Sequence, residues 1–346
     1  MANRRRQAAI AVAVLGLAMG VVAKGMHRVQ FWKMNDQARI VWQAPFGAGP
    51  THVGVARGLD GQQYGPLAFA YAHKDFWIAD SYRNRIIEST NPWKTVSVPG
   101  TIIDDLVFVR RALYFVDNQQ LAVYRLADQH ITKVIQLQAP LGQTEAIWHL
   151  AADGGDLLLE GVRLGHGESV MWLAKYSAQG RQIAMLNLAK SAWDSPLQVQ
   201  PTYPVTAVVR SFEPGPSGGL YVEAASSDRY QRMVWVYSRH NHLVRKVPIV
   251  SPEPIVHSEL LGVNRWGWIY MGLNLNVSGR ALVEVVQPGG ESTTLKVHAV
   301  PIKSVVYGTV GPTGALYLLQ STADEYRIAR WGLTPQTHWV WHMPHL

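Results

Sequence analysis

A recurring beat constrains this chain more than any other feature. An apolar or aromatic residue in the second strand of a short-strand cluster returns at Trp77, Tyr114, Leu158, Tyr221, Tyr270 and Tyr317. The spacings are 37, 44, 63, 49 and 47 residues. A four-stranded propeller blade takes about 40 to 50 residues, so the beat fits six such blades with one long insertion. That insertion is Ala189 to Pro204, which carries Trp193 and three prolines. The segments around each beat are short and rich in Val, Tyr, Trp and Ile, with Gly, Asp, Asn and Pro between them. After residue 37 no long amphipathic helical pattern competes.

Physics favours closing such units into a ring. A small twisted sheet with two apolar faces cannot bury both alone, whereas radial stacking buries both and leaves only short edges. A ring must also join its first and last units. Two strands are left over for that task, Ala38 to Gln43 and His338 to His342, and one or both are expected to complete the closing blade. The alternatives are a pair of β-sandwiches or a seven-bladed ring. The expected fold is therefore all-β, a six-bladed β-propeller with an N-terminal transmembrane or signal helix.

Gly58 to Ser89 is the clearest unit. A glycine turn (Asp60-Gly61) leads through Gly65-Pro66 into the strand Leu67 to Ala72. The turn His73-Lys74-Asp75 and the strand Phe76-Trp77-Ile78-Ala79 follow, then Asp80 and Asn84-Arg85-Ile86. This order resembles an NHL repeat, a unit of six-bladed propellers. His73-Lys74-Asp75 departs from it, standing where the family has an Asp-Gly type turn. The resemblance implies a binding platform, and some relatives are lyases or lactonases.

The N-terminus has its own pattern. Residues 1–7 are basic, with Arg4, Arg5 and Arg6 together; residues 8–23 are uninterrupted by charge; residues 24–37 form a mixed stalk; residues 38–346 hold the propeller. Basic residues ahead of an apolar run match a signal anchor or a signal peptide. The expectation is a single-pass protein of the cell membrane with its propeller on the extracytoplasmic side, secretion being the alternative. The chain has no cysteine, which excludes disulfides, thiolate metal sites and cysteine nucleophiles. Its net charge is +8, yet no Lys/Arg cluster of the nucleic-acid type follows residue 6. Protein or cell-wall polymer is the expected partner, besides the membrane.

No phosphate loop and no Gly-x-Ser-x-Gly nucleophile elbow is present, so no catalytic residue is assigned. Residues at the starts of inner strands are the candidates for a channel site. Asp104, Glu145 and Glu259 come from three units and offer oxygen ligands for Ca²⁺. Their offsets before the beat are unequal, which argues against a shared depth. Asp105, His149 and Lys303 are expected to line the channel. Trp193, Trp266 and Trp268 sit in loop-like sequence and are candidate partner contacts. The function expected is non-enzymatic binding or scaffolding; the alternative is a lactonase-like hydrolase or lyase with a channel-centred divalent metal.

Overall fold

The computed structural model describes residues 26–57, 63–98, 100, 102–139, 144–165, 168–187, 192–194, 209–224, 228–240, 242–278, 280–297, 302–303 and 307–341. The described elements are β-strands apart from two single-turn 3-10 helices, Ser81–Arg83 and Pro216–Gly218. The apolar run at residues 8–23 lies outside the described residues. Two compact units are present, residues 36–331 and a smaller one built from both ends of the chain.

The larger unit is a six-bladed propeller. Its inner strands, one per blade, are Phe69–Ala72, Asp105–Val109, Thr144–Asp153, Val209–Pro214, Ile255–Val263 and Gly308–Val310. Each is hydrogen-bonded outward to the next strand of its own antiparallel sheet. Neighbouring inner strands touch around the circle, and Gly308–Val310 touches Phe69–Ala72 to close it. Blades 1 to 5 are built from consecutive strands. In blade 6, Gly308–Val310, Leu316–Leu319 and Glu325–Trp331 are completed by the N-terminal strand Arg39–Pro45. Of the two leftover strands, the N-terminal one thus closes the ring. The other does not: Leu333–Trp341 pairs with Met26–Met34, from the expected stalk, and these two strands form the smaller unit.

The core explains why sheets of this sequence stack. Every residue of the blade 2 strand Ala112–Asp117 is buried. With a period of two, Leu113 and Phe115 join the apolar layer against blade 1, and Tyr114 and Val116 the layer against blade 3. Corresponding layers lie between blades 3 and 4, 4 and 5, and 6 and 1. Full burial of one such side chain stabilises the fold by roughly 1.5–3 kcal/mol.

The repeat-like residues of blade 1 are largely occupied in structure. Buried Asp80 accepts the Gly54 amide at 2.8 Å and pairs with the Arg85 guanidinium at 2.8 Å. Arg83 reaches back to the carbonyls of Ala48, Gly49 and His52, and Asn84 takes the left-handed conformation (φ 50°) that ends the turn. The divergent turn His73-Lys74 has φ of 54° and 75°. It thus keeps the backbone of a type I′ hairpin without the usual Asn or Gly. Two further details differ from the sequence reading. Within the long insertion, Ala192–Asp194 adds a fifth strand to blade 3. Ile302–Lys303 runs parallel to Gln63–Tyr64 in a three-stranded fringe sheet rather than opening the inner strand of blade 6.

Candidate functional site

The strand registers define one polar layer across the propeller channel. Two residues beyond each beat lie Ala79, Val116, Glu160, Glu223, Gly272 and Leu319. Opposite them on the inner strands stand Ala68, Asp105, His149, Ser211, Glu259 and Tyr307. Five of these six inner residues are polar. The inner strands of blades 3 and 4 carry a bulge just before this position, and that of blade 5 carries one on either side. Only the bulge after Glu259 falls between a site residue and its beat, so Glu259 stands 11 residues before Tyr270 while Asp105 and His149 each stand 9 before Tyr114 and Leu158 at the same level.

His149 is the centre of the layer. Its Nδ1 lies 2.9 Å from Asp105 Oδ2, and its Nε2 lies 3.2 Å from Glu213 Oε1. A ring that faces an acceptor at both nitrogens donates at both, which only the imidazolium can do. Burial by itself lowers its pKa, but the hydrogen bonds and charges of Asp105 and Glu213 outweigh this and hold it well above the usual value. Asp105 is fixed in turn by the amides of Leu106 and Leu150, each at 2.7 Å. Blades 2, 3 and 4 are therefore stapled together by one protonated ring.

A second network continues from blade 4 to blade 5. Ser211 donates to buried Glu223 at 2.6 Å and accepts the Leu260 amide at 2.9 Å. Ser258 donates to the other oxygen of Glu223 and accepts from Arg232 Nε at 2.9 Å. Arg232 itself is buried and also reaches the Ile255 carbonyl.

Two carboxyls in the layer stay protonated at neutral pH. Burial pushes Glu160 up to about 8, with Glu223 and Glu213 adding to the shift and the His149 charge opposing it. Burial pushes Glu259 up to about 8 as well. Glu160 Oε1 is buried without a hydrogen-bond partner. Tyr307, buried near Glu259, has its hydroxyl held well above its ordinary pKa. Gly272 makes room for it: a Cβ there would lie 1.9 Å from the Tyr307 oxygen.

One face of the layer opens into a cavity of about 420 Å³ at the ends of the inner strands. All six blades line it, through Tyr71, Asp105, His149, Glu213, Asn264 and Thr309 among others.

The expected site residues are distributed unevenly around this geometry. Asp105 and His149 line the cavity and Glu259 lies in the layer. Asp104 is engaged elsewhere, its carboxylate accepting the Asn118 amide at 2.9 Å, and burial raises its pKa. Glu145 is buried against Arg163 at 3.1 Å. Among the described residues no group of three His, Asp or Glu side chains is placed to hold a metal ion, so Asp104, Glu145 and Glu259 do not fit Ca²⁺ as a set. The side chains of Lys303 and Trp193 lie outside the described residues. The RWGW turn exposes less than its sequence suggests. Trp268 is buried because its amide is tied to Asn264 Oδ1 and it leads directly into the second strand of blade 5. Trp266 is half-buried with the Arg265 guanidinium 4.4 Å above its ring.

The site members that sequence reading missed are Glu160, Ser211, Glu213, Glu223, Arg232, Ser258 and Tyr307. A signal for two of them was present. Glu160 and Glu223 both follow the beat by two residues inside otherwise apolar strands, DLLLEGV and LYVEA.

Fold and site together define a six-bladed β-propeller whose channel is crossed by a hydrogen-bonded polar layer. No protein-family model matches the chain, and no curated protein matches it. Solved structures do. The chain is similar to a gluconolactonase of Xanthomonas campestris at 11% identity and a TM-score of 0.48, over 86% of this chain and 99% of that one. It is similar to a PQQ-bound aldose sugar dehydrogenase of Streptomyces coelicolor at 11% identity and 0.46, over 86% and 98%. A chain of a nidogen/laminin complex matches at 13% identity and 0.42, over 73% and 95%. No chemistry passes from likenesses this distant, and the propeller assignment stands on the strand order above.

Proposed function

We propose that this chain is a binding module: a propeller held outside the cytoplasmic membrane by its N-terminal apolar run, engaging a protein or a cell-envelope polymer without transforming it. The observation that carries the reading is an apolar rim at blades 4 and 5. Tyr230, Val250, Val256 and Val277 are 49%, 66%, 60% and 78% exposed. Their loops are tied to one another, since Tyr230 accepts the Ser251 amide, Arg229 the Ile255 amide and Pro254 the Asn276 amide. Grouped apolar side chains that stay in water mark interaction surfaces. The channel supports the same reading, because an imidazolium gripped at both nitrogens has no lone pair to serve as a base or a ligand.

A Tyr230→Ser, Val256→Ser double variant of the full chain tests it. The variant keeps its melting temperature but loses retention on purified cell-wall sacculi, or co-purification with its protein partner at native expression. Stoichiometric Ca²⁺ or Zn²⁺ in the purified chain, lost in Glu259→Gln, would overturn the reading in favour of a channel-centred hydrolase or lyase.

A further inference from the structure

A second cavity, unrelated to the channel, lies in the wedge between blades 2 and 3. Its volume is about 740 Å³, in the range of a small-molecule site. Arg110 and Arg111, Arg125, Lys133, Thr132 and the Ala178-Gln179 turn border it, and no Asp or Glu lines it. Among the described residues Arg110, Arg111 and Arg125 have no carboxylate partner. Lys133 borders the cavity, but its ammonium lies on the opposite face of the sheet, over the Tyr124 ring and bonded to Gln136. Three guanidiniums thus share one concavity without an ion-pairing carboxylate among the described residues.

The geometry holds these cations in place. Arg110 and Arg111 form the two-residue turn between Val109 and Ala112. Arg110 has φ 58°, a conformation in which Asn or Gly is favoured, so the turn presents a guanidinium where the backbone alone would select a smaller residue. That guanidinium rests on the backbone of Gly155 in blade 3; a Cβ there would lie 2.3 Å from Arg110 Nη2. Arg125 stands between Tyr114 and Thr132 on adjacent strands, and the Tyr114 hydroxyl is fixed by the Ala178 carbonyl at 3.0 Å. The floor is therefore rigid and its neutral hydrogen-bonding groups sit beside the charges.

We infer that this wedge binds a ligand carrying more than one phosphoryl group, with the guanidiniums as bidentate partners of the phosphate oxygens. Planar forks of this kind suit phosphate better than a lysine cluster does. Thr132 and Gln179 supply neutral contacts for a polyol or sugar attached to the phosphates. The inference is independent of the apolar rim.

Isothermal titration of the full chain with pyrophosphate at low salt tests it. One pyrophosphate binds per chain. Arg125→Gln and Arg110→Asn each weaken binding at least about tenfold, and Asn suits the backbone at position 110, so that variant folds. Arg280→Gln, remote from the wedge, leaves binding unchanged. Gly155→Ala weakens binding without changing charge, because it displaces the Arg110 guanidinium. Binding to cardiolipin vesicles, whose headgroup carries two phosphates, but not to pyrophosphate, lost in the same two variants, keeps the phosphate chemistry and assigns it to a lipid headgroup. No binding to either probe, or equal binding by all variants, overturns the inference.

Discussion

Glu160→Gln should make this protein more stable, and only above a particular pH. Glu160 is 2% exposed, its Oε1 has no partner, and burial raises its pKa from 4.5 to about 8. Below pH 4.5 the folded and unfolded chains both hold its proton, so the glutamate and the glutamine are equivalent. Between pH 4.5 and about 8 the unfolded chain releases the proton while the folded chain keeps it. Stability then falls by about 1.4 kcal/mol per pH unit. At pH 7 the accumulated penalty is about 3 kcal/mol, and above pH 8 it levels off at about 5 kcal/mol as an upper bound. Glutamine has the shape of the protonated acid and never ionises, so the variant escapes the penalty. Urea denaturation of both proteins at pH 5, 7 and 8.5 reads the difference directly. Glu259 and His149 titrate in both proteins, and below about pH 8, where Glu160 is neutral like the glutamine, their contributions cancel. A stability gap that does not widen between pH 5 and 8.5 would refute the buried, protonated state of Glu160.

Two further substitutions probe the same layer. His149→Gln should destabilise the fold by about 3–5 kcal/mol at pH 6, because it leaves Asp105 and Glu213 without their shared cation. The folded pKa of His149 is raised, so its contribution is complete below the ordinary histidine value and fades as pH rises through the folded one. The gap between wild type and variant in urea melts should therefore shrink at alkaline pH, and a pH-independent gap would argue against an imidazolium. Gly272→Ala should cost about 1–3 kcal/mol by driving a methyl group against the Tyr307 hydroxyl. Tyr307→Phe in that background should recover most of the loss in a thermal melt, and failure to recover would mean that Gly272 is needed for another reason.

Much of the fold was legible because each blade is a local object. The beat at Trp77, Tyr114, Leu158, Tyr221, Tyr270 and Tyr317 marks second strands that are nearly all buried, and burial from both sides leaves a strong apolar signature. The N-terminal strand could be nominated for closure because it had no unit of its own. Nothing local distinguished the partner of the C-terminal strand. The sequence of Leu333–Trp341 carries no mark of its partner, and only long-range pairing gave it to Met26–Met34. The site was less legible. Asp105 and His149 stood out as polar residues at inner-strand positions, whereas Tyr307 and Ser258 look like ordinary strand residues until their neighbours from other blades are known.

The sequence by itself determined the all-β character and the approximate limits of the units, and it favoured six blades over seven, since these follow from residue periodicity and turn chemistry within about 50 residues. Tertiary structure alone decided which polar residues meet. Ser211 and Glu259 stand 10 and 11 residues before their beats where Asp105 and His149 stand 9, so equal depth in the channel corresponds to unequal spacing in the chain. The charge state of the site was decided there too. Whether Glu160 holds a proton and His149 a charge depends on burial and on carboxylates contributed by other blades, and an unfolded chain has neither.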